Sequence, residues 1–376
     1  MIRLLADENM VGLSALESPG LQIRTLPGRA MDRSAMKAVD ALWVRSVTPV
    51  TAQLLADSPV RFVGTATAGT EHVDVAWLRD NGIAFSAAPG SNANAVVEYV
   101  LAALLETGAW QTLEAGGSLG IVGYGHVGRR LASVAARLGW RIVVSDPPLA
   151  ATASSDDSIP LDGTLADVLA CDVISLHCAL EREGIWPSHH LIGVEELEQL
   201  GSHQVLINAS RGAVLDNAAL YARLAAGQGP QVVLDVWEGE PAFDVRLLDF
   251  AQVRIATPHI AGYSFDARHQ ATLMLYERLG DQYPELSPYS AQNSNDTFTL
   301  EVSVEDDAHT LLRRCYRVED DDQRFRELQS MSANDRAQGF DQLRKEYPLR
   351  RELARSAIQG ELRGEAQRLY AALVGQ

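Results

Sequence analysis

Three side chains that together could oxidise a hydroxy acid follow successive predicted strands in the middle of the chain. Arg211 comes just after the run QVLINAS, Glu240 lies shortly beyond the run QVVLDV, and His259 follows the next apolar run. An arginine can hold a substrate carboxylate through two parallel hydrogen bonds. A histidine can accept a hydroxyl proton near neutral pH, and a carboxylate can orient its imidazole. The three residues therefore predict a site that takes a hydride and a proton from a 2-hydroxy acid.

Each of these residue types is also common in purely structural roles, as a salt-bridge arginine, a surface acid or a partly buried histidine. Their position separates the two interpretations, because ligands of open α/β sheets bind outside the carboxyl ends of the strands. Three such residues after successive strands of one series favour a shared active site.

A glycine motif upstream predicts that the hydride acceptor is a dinucleotide. The segment GYGHVG (123–128) follows the apolar run LGIV and precedes an amphipathic helix. Gly123 permits the tight turn, Gly125 lets the backbone approach a pyrophosphate, and Gly128 lets the helix pack closely on the strand. His126 and Val127 lie at the start of that helix, whose free N–H groups favour phosphate.

An aspartate after the next predicted strand selects the cofactor. Asp146 lies about twenty residues beyond the glycines, where an acid accepts hydrogen bonds from the adenosine ribose hydroxyls. An acid there also disfavours the extra phosphate of NADP, so we expect NAD. The structural alternative for Asp146 is a helix cap before Pro147 and Pro148. We expect no metal cofactor, since the cysteines lack metal-ligand spacing.

Alternating strand-like and helical runs predict an α/β fold with parallel sheets. One series includes IRLLA (2–6), a second begins at SLGIVG (118–123), and a helix is expected over 95–108. We therefore predict two doubly wound domains, a flavodoxin-like substrate domain and a Rossmann NAD domain, and then a separate C-terminal α+β domain. The predicted bounds are 1–93 completed by 256–286, then 94–255, and then 287–376, which begins at the Ser/Asn-rich junction SPYSAQNSND.

Composition and net charge restrict the binding partners and the cellular compartment that we expect for this protein. The formal net charge of −17 would repel nucleic acid and anionic membranes. Three cysteines fit a reducing cytosol, and no apolar run approaches the roughly 20 residues of a membrane span. The N-terminus also lacks the layout of a signal peptide. We expect a cytoplasmic protein without nucleic-acid or membrane partners, in which the acidic run 319–322 is a solvated face.

Five segments carry more specific signatures: PGSNANAVVEYV (89–100), GIVGYGHVG (120–128), LINASRGAVLDNAAL (206–220), DVWEGEP (235–241) and TPHIAGYS (257–264). Together they resemble the D-isomer-specific 2-hydroxyacid dehydrogenases. The resemblance implies three catalytic residues, Arg211, Glu240 and His259, with His259 as the proton donor and acceptor. It implies substrate contacts at Ser46, Thr67 and Tyr263. It implies NAD contacts at Asp146, Ala209, Ser210, Arg211, Asp235 and Gly262. Where the family usually has Thr-Pro, this chain has Cys178-Ala179, so the backbone of Cys178 is expected to line the NAD site.

Further segments narrow the resemblance: LLADENM (4–10), WVRSVT (43–48), FVGTATAGTEHVD (62–74), DPP (146–148), HIAGYS (259–264) and FDQLRKEYPLRREL (340–353). They are similar to the branch of this family that oxidises 4-phosphoerythronate in pyridoxal-phosphate biosynthesis. The last segment lies in the C-terminal extension, which in that branch mediates dimerisation. The resemblance therefore implies oxidation of 4-phospho-D-erythronate by a homodimer.

A phosphorylated substrate also needs cations. Arg45, beside Ser46 at the end of a predicted strand, is the expected phosphate ligand, because guanidinium grips phosphate oxygens in pairs. A basic cluster in the C-terminal extension either helps it or only pairs with neighbouring acids. Its members are Arg344, Lys345, Arg350 and Arg351.

Two other functions remain compatible with the sequence. One is a different D-2-hydroxyacid dehydrogenase, which acts for example on 3-phosphoglycerate. The other is an NAD(H)-sensing binding protein, which would have no need of a base such as His259.

Overall fold

The computed structural model describes residues 1–16, 18–152, 161, 163–286, 288–289 and 298–375. The chain forms two compact units, Met1–Asn92 with Ser264–Phe298, and Ala93–Tyr263 with Thr299–Gln376. The predicted junction at 287–296 lies almost wholly outside the described residues. The predicted division into three domains stays a prediction; residues 299–376 share a unit with the glycine motif.

The first unit is built around a five-stranded parallel sheet. Its strands pair in the order β2-β1-β3-β4-β5, which confirms the predicted flavodoxin-like topology. The strands are β1 Ile2–Asp7, β2 Leu21–Leu26, β3 Ala41–Val44, β4 Phe62–Thr65 and β5 Ala84–Ala87. The α-helices of this unit, numbered along the whole chain, are α1 Ala52–Leu55, α2 Val75–Asp80 and α10 Phe265–Gln282.

Apolar residues on both faces explain why these central strands form. All residues of β3 and of β4 are buried, as expected where a parallel sheet is covered on both sides. Trp43 faces the apolar cluster that includes Leu275 of α10, and its neighbour Leu42 faces the cluster on the other side. Because the strands are parallel, Arg45 after β3 and Thr67 after β4 follow the same edge of the sheet.

The second unit contains a parallel sheet that, within the described residues, has six strands in the order β11-β10-β9-β8-β6-β7. This order confirms the predicted doubly wound fold, since the chain changes direction across the sheet between β7 and β8. The strands are β6 Ser118–Val122, β7 Arg141–Ser145, β8 Val173–Leu176, β9 Val205–Asn208, β10 Gln231–Leu234 and β11 Val253–Ala256. The helices are α3 Ala93–Thr107, α4 Ala109–Glu114, α5 His126–Leu138, α6 Pro147–Ala150, α7 Leu165–Leu169, α8 Val194–Gln199 and α9 Asn217–Ala225.

The C-terminal segment adds the predicted α+β portion. Its strands β12 Thr299–Glu301 and β13 Ala357–Gln359 pair in parallel. Its helices are α11 Ala308–Cys315, α12 Val318–Arg326, α13 Ala333–Lys345 and α14 Gly364–Val374. Phe325 and Phe340 of this segment share one apolar core with Trp237 and Phe243, which follow β10. The segment is thus part of the hydrophobic core of its unit.

The acidic run at 319–322 is not the solvated face that the sequence suggested. Asp321 is buried and accepts hydrogen bonds from the hydroxyls of Tyr316 and Tyr347, at 3.0 and 2.7 Å. Asp322 accepts the Ala256 N–H at 2.7 Å, at the end of β11. Two of the four acids therefore fasten α12 to the rest of the unit.

None of the helices in the described part of the chain combines the length and the apolar composition needed to cross a membrane.

Candidate active site

The glycine motif forms the turn between β6 and α5, and close contacts explain two of its glycines. A Cβ at Gly128 would lie 1.9 Å from the Gly123 carbonyl oxygen, so only glycine lets α5 pack this closely. Gly123 has φ +91°, and a Cβ there would lie 2.6 Å from the Cys178 nitrogen. A Cβ at Gly125 would meet no described atom within 4 Å. The start of α5 at His126 therefore borders open space, which suits a pyrophosphate.

Asp146 follows β7, and both of its carboxylate oxygens accept backbone hydrogen bonds. The Tyr124 N–H of the glycine turn donates to Oδ2 at 2.7 Å, and the Leu149 N–H donates to Oδ1 at 2.9 Å. Asp146 therefore caps α6, which is the structural role considered from the sequence. Each oxygen retains a second lone pair and the residue is only half-buried, so the carboxylate can also accept ribose hydroxyls.

The chain leaves β8 directly against the glycine turn. The His177 N–H donates to the Val122 carbonyl at 2.7 Å, and Cys178 follows. Burial raises the pKa of the Cys178 thiol to about 12, so the thiol stays neutral at physiological pH. Burial lowers the pKa of His177 to about 4, and its Nε2 lies 2.8 Å from the Ser175 hydroxyl. Sequence reasoning missed His177, although its place at a strand end could have indicated it.

The turn after β9 holds Arg211 in place. Asn208 accepts the N–H and the hydroxyl of Ser210 at 3.1 and 2.8 Å, and its amide donates to the Arg211 carbonyl at 3.1 Å. The Arg211 guanidinium donates to the Ser210 carbonyl at 2.9 Å. A Cβ at Gly212 would lie 2.0 Å from the backbone of the turn after β10. The two turns therefore rest on each other, and the predicted NAD contact Ala209 lies between Asn208 and Ser210.

Asp235, just after β10, organises the loop that carries His259. Its buried carboxylate accepts the Thr257 hydroxyl at 2.7 Å and the N–H groups of Ile260 and Ala261 at 2.7 and 3.0 Å. Its carbonyl accepts the His259 N–H at 2.6 Å. These bonds hold His259 at φ +57°, a left-handed conformation that is unfavourable outside glycine. Asp235 was predicted to contact NAD, and its contacts within the chain hold the His259 loop in place.

The structure brings Glu240 and His259 together. Glu240 Oε1 lies 2.5 Å from His259 Nδ1, and the Trp237 N–H donates to Oε2 at 3.2 Å. Burial raises the pKa of Glu240, but the His259 charge and hydrogen bond and the Arg344 charge outweigh it, so the pKa lies below its ordinary range. Because Nδ1 is engaged by the carboxylate, Nε2 is the ring nitrogen that can exchange a proton with a substrate.

Two arginines of the C-terminal segment reach the same loop. Arg344 of α13 lies over the Tyr263 ring, with its Cζ 5.6 Å from the ring centroid. Arg350 is buried, and its guanidinium donates to the carbonyls of Ala261 at 3.1 Å and Ala95 at 2.6 Å. Arg350 is therefore not available to a substrate phosphate. Gly262, the predicted NAD contact between Ala261 and Tyr263, is half-buried.

In the first unit, Asp7 fixes the direction of Arg45. The Arg45 Nε donates to Asp7 Oδ1 at 3.2 Å, and the Asn9 N–H donates to the same oxygen at 2.8 Å. Asp7 is fully buried, whereas 18% of the Arg45 side chain is exposed. With Nε engaged, the two terminal nitrogens of Arg45 can take two oxygens of an anion. Ser46, the next residue, is exposed.

Thr67 belongs to a small hydrogen-bonded group after β4. Its hydroxyl lies 2.7 Å from the Thr65 hydroxyl and donates to the Gly69 carbonyl at 2.7 Å. The Thr65 hydroxyl also lies 2.9 Å from His72 Nε2, and burial lowers the pKa of His72. Sequence reasoning missed His72, which lies in the segment FVGTATAGTEHVD.

A second carboxylate–imidazole pair lies in the second unit, which also holds Glu240 and His259. Glu238 Oε1 is 2.7 Å from His190 Nε2, and the His189 and His190 rings stack with centroids 4.0 Å apart. These three residues have the types of a metal site. The Glu238–His190 contact is also that of an ordinary ion pair, and we assign no metal to this group.

Comparison with known proteins identifies the family. The model of the NAD-binding domain of D-isomer specific 2-hydroxyacid dehydrogenases matches residues 103–261, and a domain of unknown function matches residues 290–373. Erythronate-4-phosphate dehydrogenase of Pseudomonas syringae is 43% identical over 381 residues, which cover 98% of this chain and 97% of that protein. The enzyme of the same name from Marinobacter nauticus is 41% identical and covers 97% of this chain and 96% of its own length.

Solved structures agree on the fold. D-lactate dehydrogenase from Aquifex aeolicus, complexed with NAD and lactic acid, superposes with a TM-score of 0.58 at 22% identity and covers 78% of this chain and all of its own. The NAD-bound 3-phosphoglycerate dehydrogenase of Entamoeba histolytica gives a TM-score of 0.60 at 20% identity, with 76% of this chain and 96% of its own covered. Residues 103–261 are thus an NAD-binding domain. The chain belongs to the erythronate-4-phosphate dehydrogenase family of D-isomer specific 2-hydroxyacid dehydrogenases.

Proposed function

We propose that this chain oxidises 4-phospho-D-erythronate to 2-oxo-3-hydroxy-4-phosphobutanoate with NAD, in pyridoxal 5′-phosphate biosynthesis. The observation that carries the proposal is the Glu240–His259 pair, whose 2.5 Å contact combines a base with its orienting carboxylate. A chain that only sensed NAD(H) would not need this pair. The near full-length similarity to erythronate-4-phosphate dehydrogenases supports the choice of substrate.

His259 acts as the base of this reaction. Its Nε2 takes the proton of the C2 hydroxyl, and Glu240 stabilises the resulting imidazolium through Nδ1. Asp235 keeps the ring in position, because its carboxylate accepts the Thr257 hydroxyl before the histidine and the N–H groups of Ile260 and Ala261 after it. Arg211 holds the substrate carboxylate and polarises the C2 oxygen.

The other end of the substrate carries a phosphate, which Arg45 binds. Asp7 supports this role, because it fixes Nε and turns the remaining guanidinium nitrogens toward a ligand. Ser46 and Thr67 supply hydroxyl groups to the substrate, as does Tyr263.

The glycine turn and the neighbouring strand ends fit NAD, which accepts the hydride from C2 when it is bound. Open space at Gly125 and the start of α5 suit the pyrophosphate. Asp146 accepts the ribose hydroxyls and disfavours NADP. The residues that would hold the cofactor are Gly123, Gly125, His126, Val127, Gly128, Asp146, the backbone of Cys178, Ala209, Ser210, Arg211, Asp235 and Gly262.

NADH formation with 4-phosphoerythronate tests the proposal, with 3-phosphoglycerate and D-lactate measured beside it. We expect the highest kcat/KM for 4-phosphoerythronate. A preference for 3-phosphoglycerate would assign the chain to a different dehydrogenase reaction. NAD binding without turnover of any of these substrates would instead make it an NAD(H) sensor.

We further propose that the protein is a cytoplasmic homodimer, and that it binds neither nucleic acid nor membranes. Large apolar side chains are exposed in the C-terminal segment, including Leu349 at 71% and Met331 at 41%. Light scattering of the intact chain should give twice the chain mass of 40.8 kDa, and Leu349→Asp should lower it. A monomeric wild type would contradict the dimer. Truncation at residue 287 is unsuitable, because it removes Phe325 and Phe340 from the shared core.

A further inference from the structure

Arg344 is a half-buried cation that lies against two aromatic rings. Its guanidinium carbon lies 5.6 Å from the centroid of the Tyr263 ring and 5.9 Å from that of Phe340. Its Nε is buried and has no hydrogen-bond partner among the described residues. The charges of Glu240 and Asp341 act on the guanidinium. These charges stabilise the guanidinium, yet the buried Nε still lacks an acceptor, so an oxygen of an anionic ligand would satisfy it.

The surroundings of Arg344 are those of the proposed active site. The guanidinium covers Tyr263, a proposed substrate contact, and it also interacts with the Tyr263 hydroxyl. Burial raises the pKa of Glu240, and Arg344 is one of the cations whose charge reverses that shift. Glu240 in turn binds His259. Arg344 therefore adds positive charge beside the base that faces the substrate.

Arg350 also has a buried Nε without a hydrogen-bond partner among the described residues and an aromatic neighbour, Tyr316, 3.6 Å from its Cζ to the ring centroid, but its other nitrogens are bound. The terminal nitrogens of Arg350 donate hydrogen bonds to the carbonyls of Ala261 and Ala95. Lys345 is exposed at the end of α13. The bonds of Arg350 fasten the C-terminal segment to the His259 loop. They thus hold Arg344 close to the site without competing for its ligand.

We infer that Arg344 binds an anionic oxygen group of the substrate, its carboxylate or its phosphate, so that the C-terminal segment contributes a residue to substrate binding. This inference rests on the proposed function. A guanidinium suits both anions, because its parallel N–H groups match two oxygens of either. The neighbouring rings of Tyr263 and Phe340 strengthen the interaction, since they exclude water from the charge.

The test compares Arg344→Met with Lys345→Met, which removes a neighbouring exposed cation from the same helix. Arg344→Met should raise the KM for 4-phosphoerythronate about 10- to 100-fold, as expected for a lost charge-assisted hydrogen bond. The Kd for NAD and the Tm should stay close to those of the wild type. Lys345→Met should leave all of these values unchanged. Arg344→Lys should recover part of the affinity, because it restores the charge.

Unphosphorylated erythronate distinguishes the two anions. A rise in KM confined to 4-phosphoerythronate assigns Arg344 to the phosphate, and an equal rise for both substrates assigns it to the carboxylate. An unchanged KM, or a loss of Tm and NAD binding without recovery in Arg344→Lys, would overturn the inference. If the wild type did not oxidise 4-phosphoerythronate, the proposed function would fail separately. Affinity for inorganic phosphate would then decide, and Arg344→Met must weaken it.

Discussion

Replacement of Glu240 by glutamine tests whether its negative charge supports His259 as the base. The change replaces one carboxylate oxygen by an amide NH2 group. The carboxylate now serves two donors, His259 Nδ1 at 2.5 Å and the Trp237 N–H at 3.2 Å. A glutamine has one carbonyl oxygen, so one of these donors must face its amide N–H group. The oxygen should turn to His259, where the contact is shorter. The imidazolium that forms during turnover then loses a full negative charge beside Nδ1.

The expected loss follows from that missing charge. A hydrogen bond to a charged group contributes about 1.5–3 kcal/mol, which corresponds to a fall in kcat of about 10- to 150-fold at about 1.4 kcal/mol per factor of ten. The unsatisfied Trp237 N–H lowers the free energy of unfolding by about 1–3 kcal/mol, which a denaturant titration measures separately. Glu238→Gln is the matched control. Glu238 lies two residues before Glu240 in the same turn, and it contacts His190 instead of His259. If Glu240→Gln kept kcat within a few-fold of the wild type, or if Glu238→Gln lowered kcat as much, the Glu240 charge would not stabilise the imidazolium.

His259→Ala should lower turnover about 10²–10⁴-fold and leave the Kd for NAD nearly unchanged, since the base acts on the substrate; near-normal turnover would remove His259 from the mechanism. The wild type should prefer NAD, and Asp146→Asn, which keeps the cap on α6, should shift the ratio of kcat/KM values toward NADP about tenfold; an unchanged ratio would mean that Asp146 does not face the ribose. Burial raises the pKa of Glu98 to about 8, so the folded protein keeps a proton that the unfolded chain releases near pH 4.5. The free energy of unfolding should therefore fall by up to about 1.4 kcal/mol per pH unit between about pH 5 and 8, and a fall that persists in Glu98→Gln would have another source.

Local patterns made the nucleotide-binding part of the fold predictable. The step from an apolar strand to a glycine turn and a helix is encoded within a dozen residues, and Gly128 shows why, since no other side chain fits beside the Gly123 carbonyl. The placement of Glu240 and His259 was also predictable, because both follow parallel strands whose ends lie at one edge of the sheet.

Contacts between distant segments were not predictable in the same way. Asp321 belongs to an acidic run typical of a solvated face, yet it is buried because Tyr316 and Tyr347 donate to it from two directions. Arg344 and Arg350 stand in one basic cluster, but the fold gives them different surroundings. Arg350 reaches Ala95, which lies 255 positions earlier in the chain. Such contacts depend on how distant elements pack together. The periodicity of the sequence does not indicate that packing.

We propose that the hydride at C2 of 4-phosphoerythronate passes to NAD while His259 takes the hydroxyl proton. Substrate deuterated at C2 makes this transfer visible, because mass spectrometry shows whether the NADH formed carries the label. The NADH should carry the deuterium, and His259→Ala should lose this transfer while it still binds NAD. Unlabelled NADH from the deuterated substrate, or undiminished transfer in the variant, would show that C2 does not supply the hydride or that His259 is not the base.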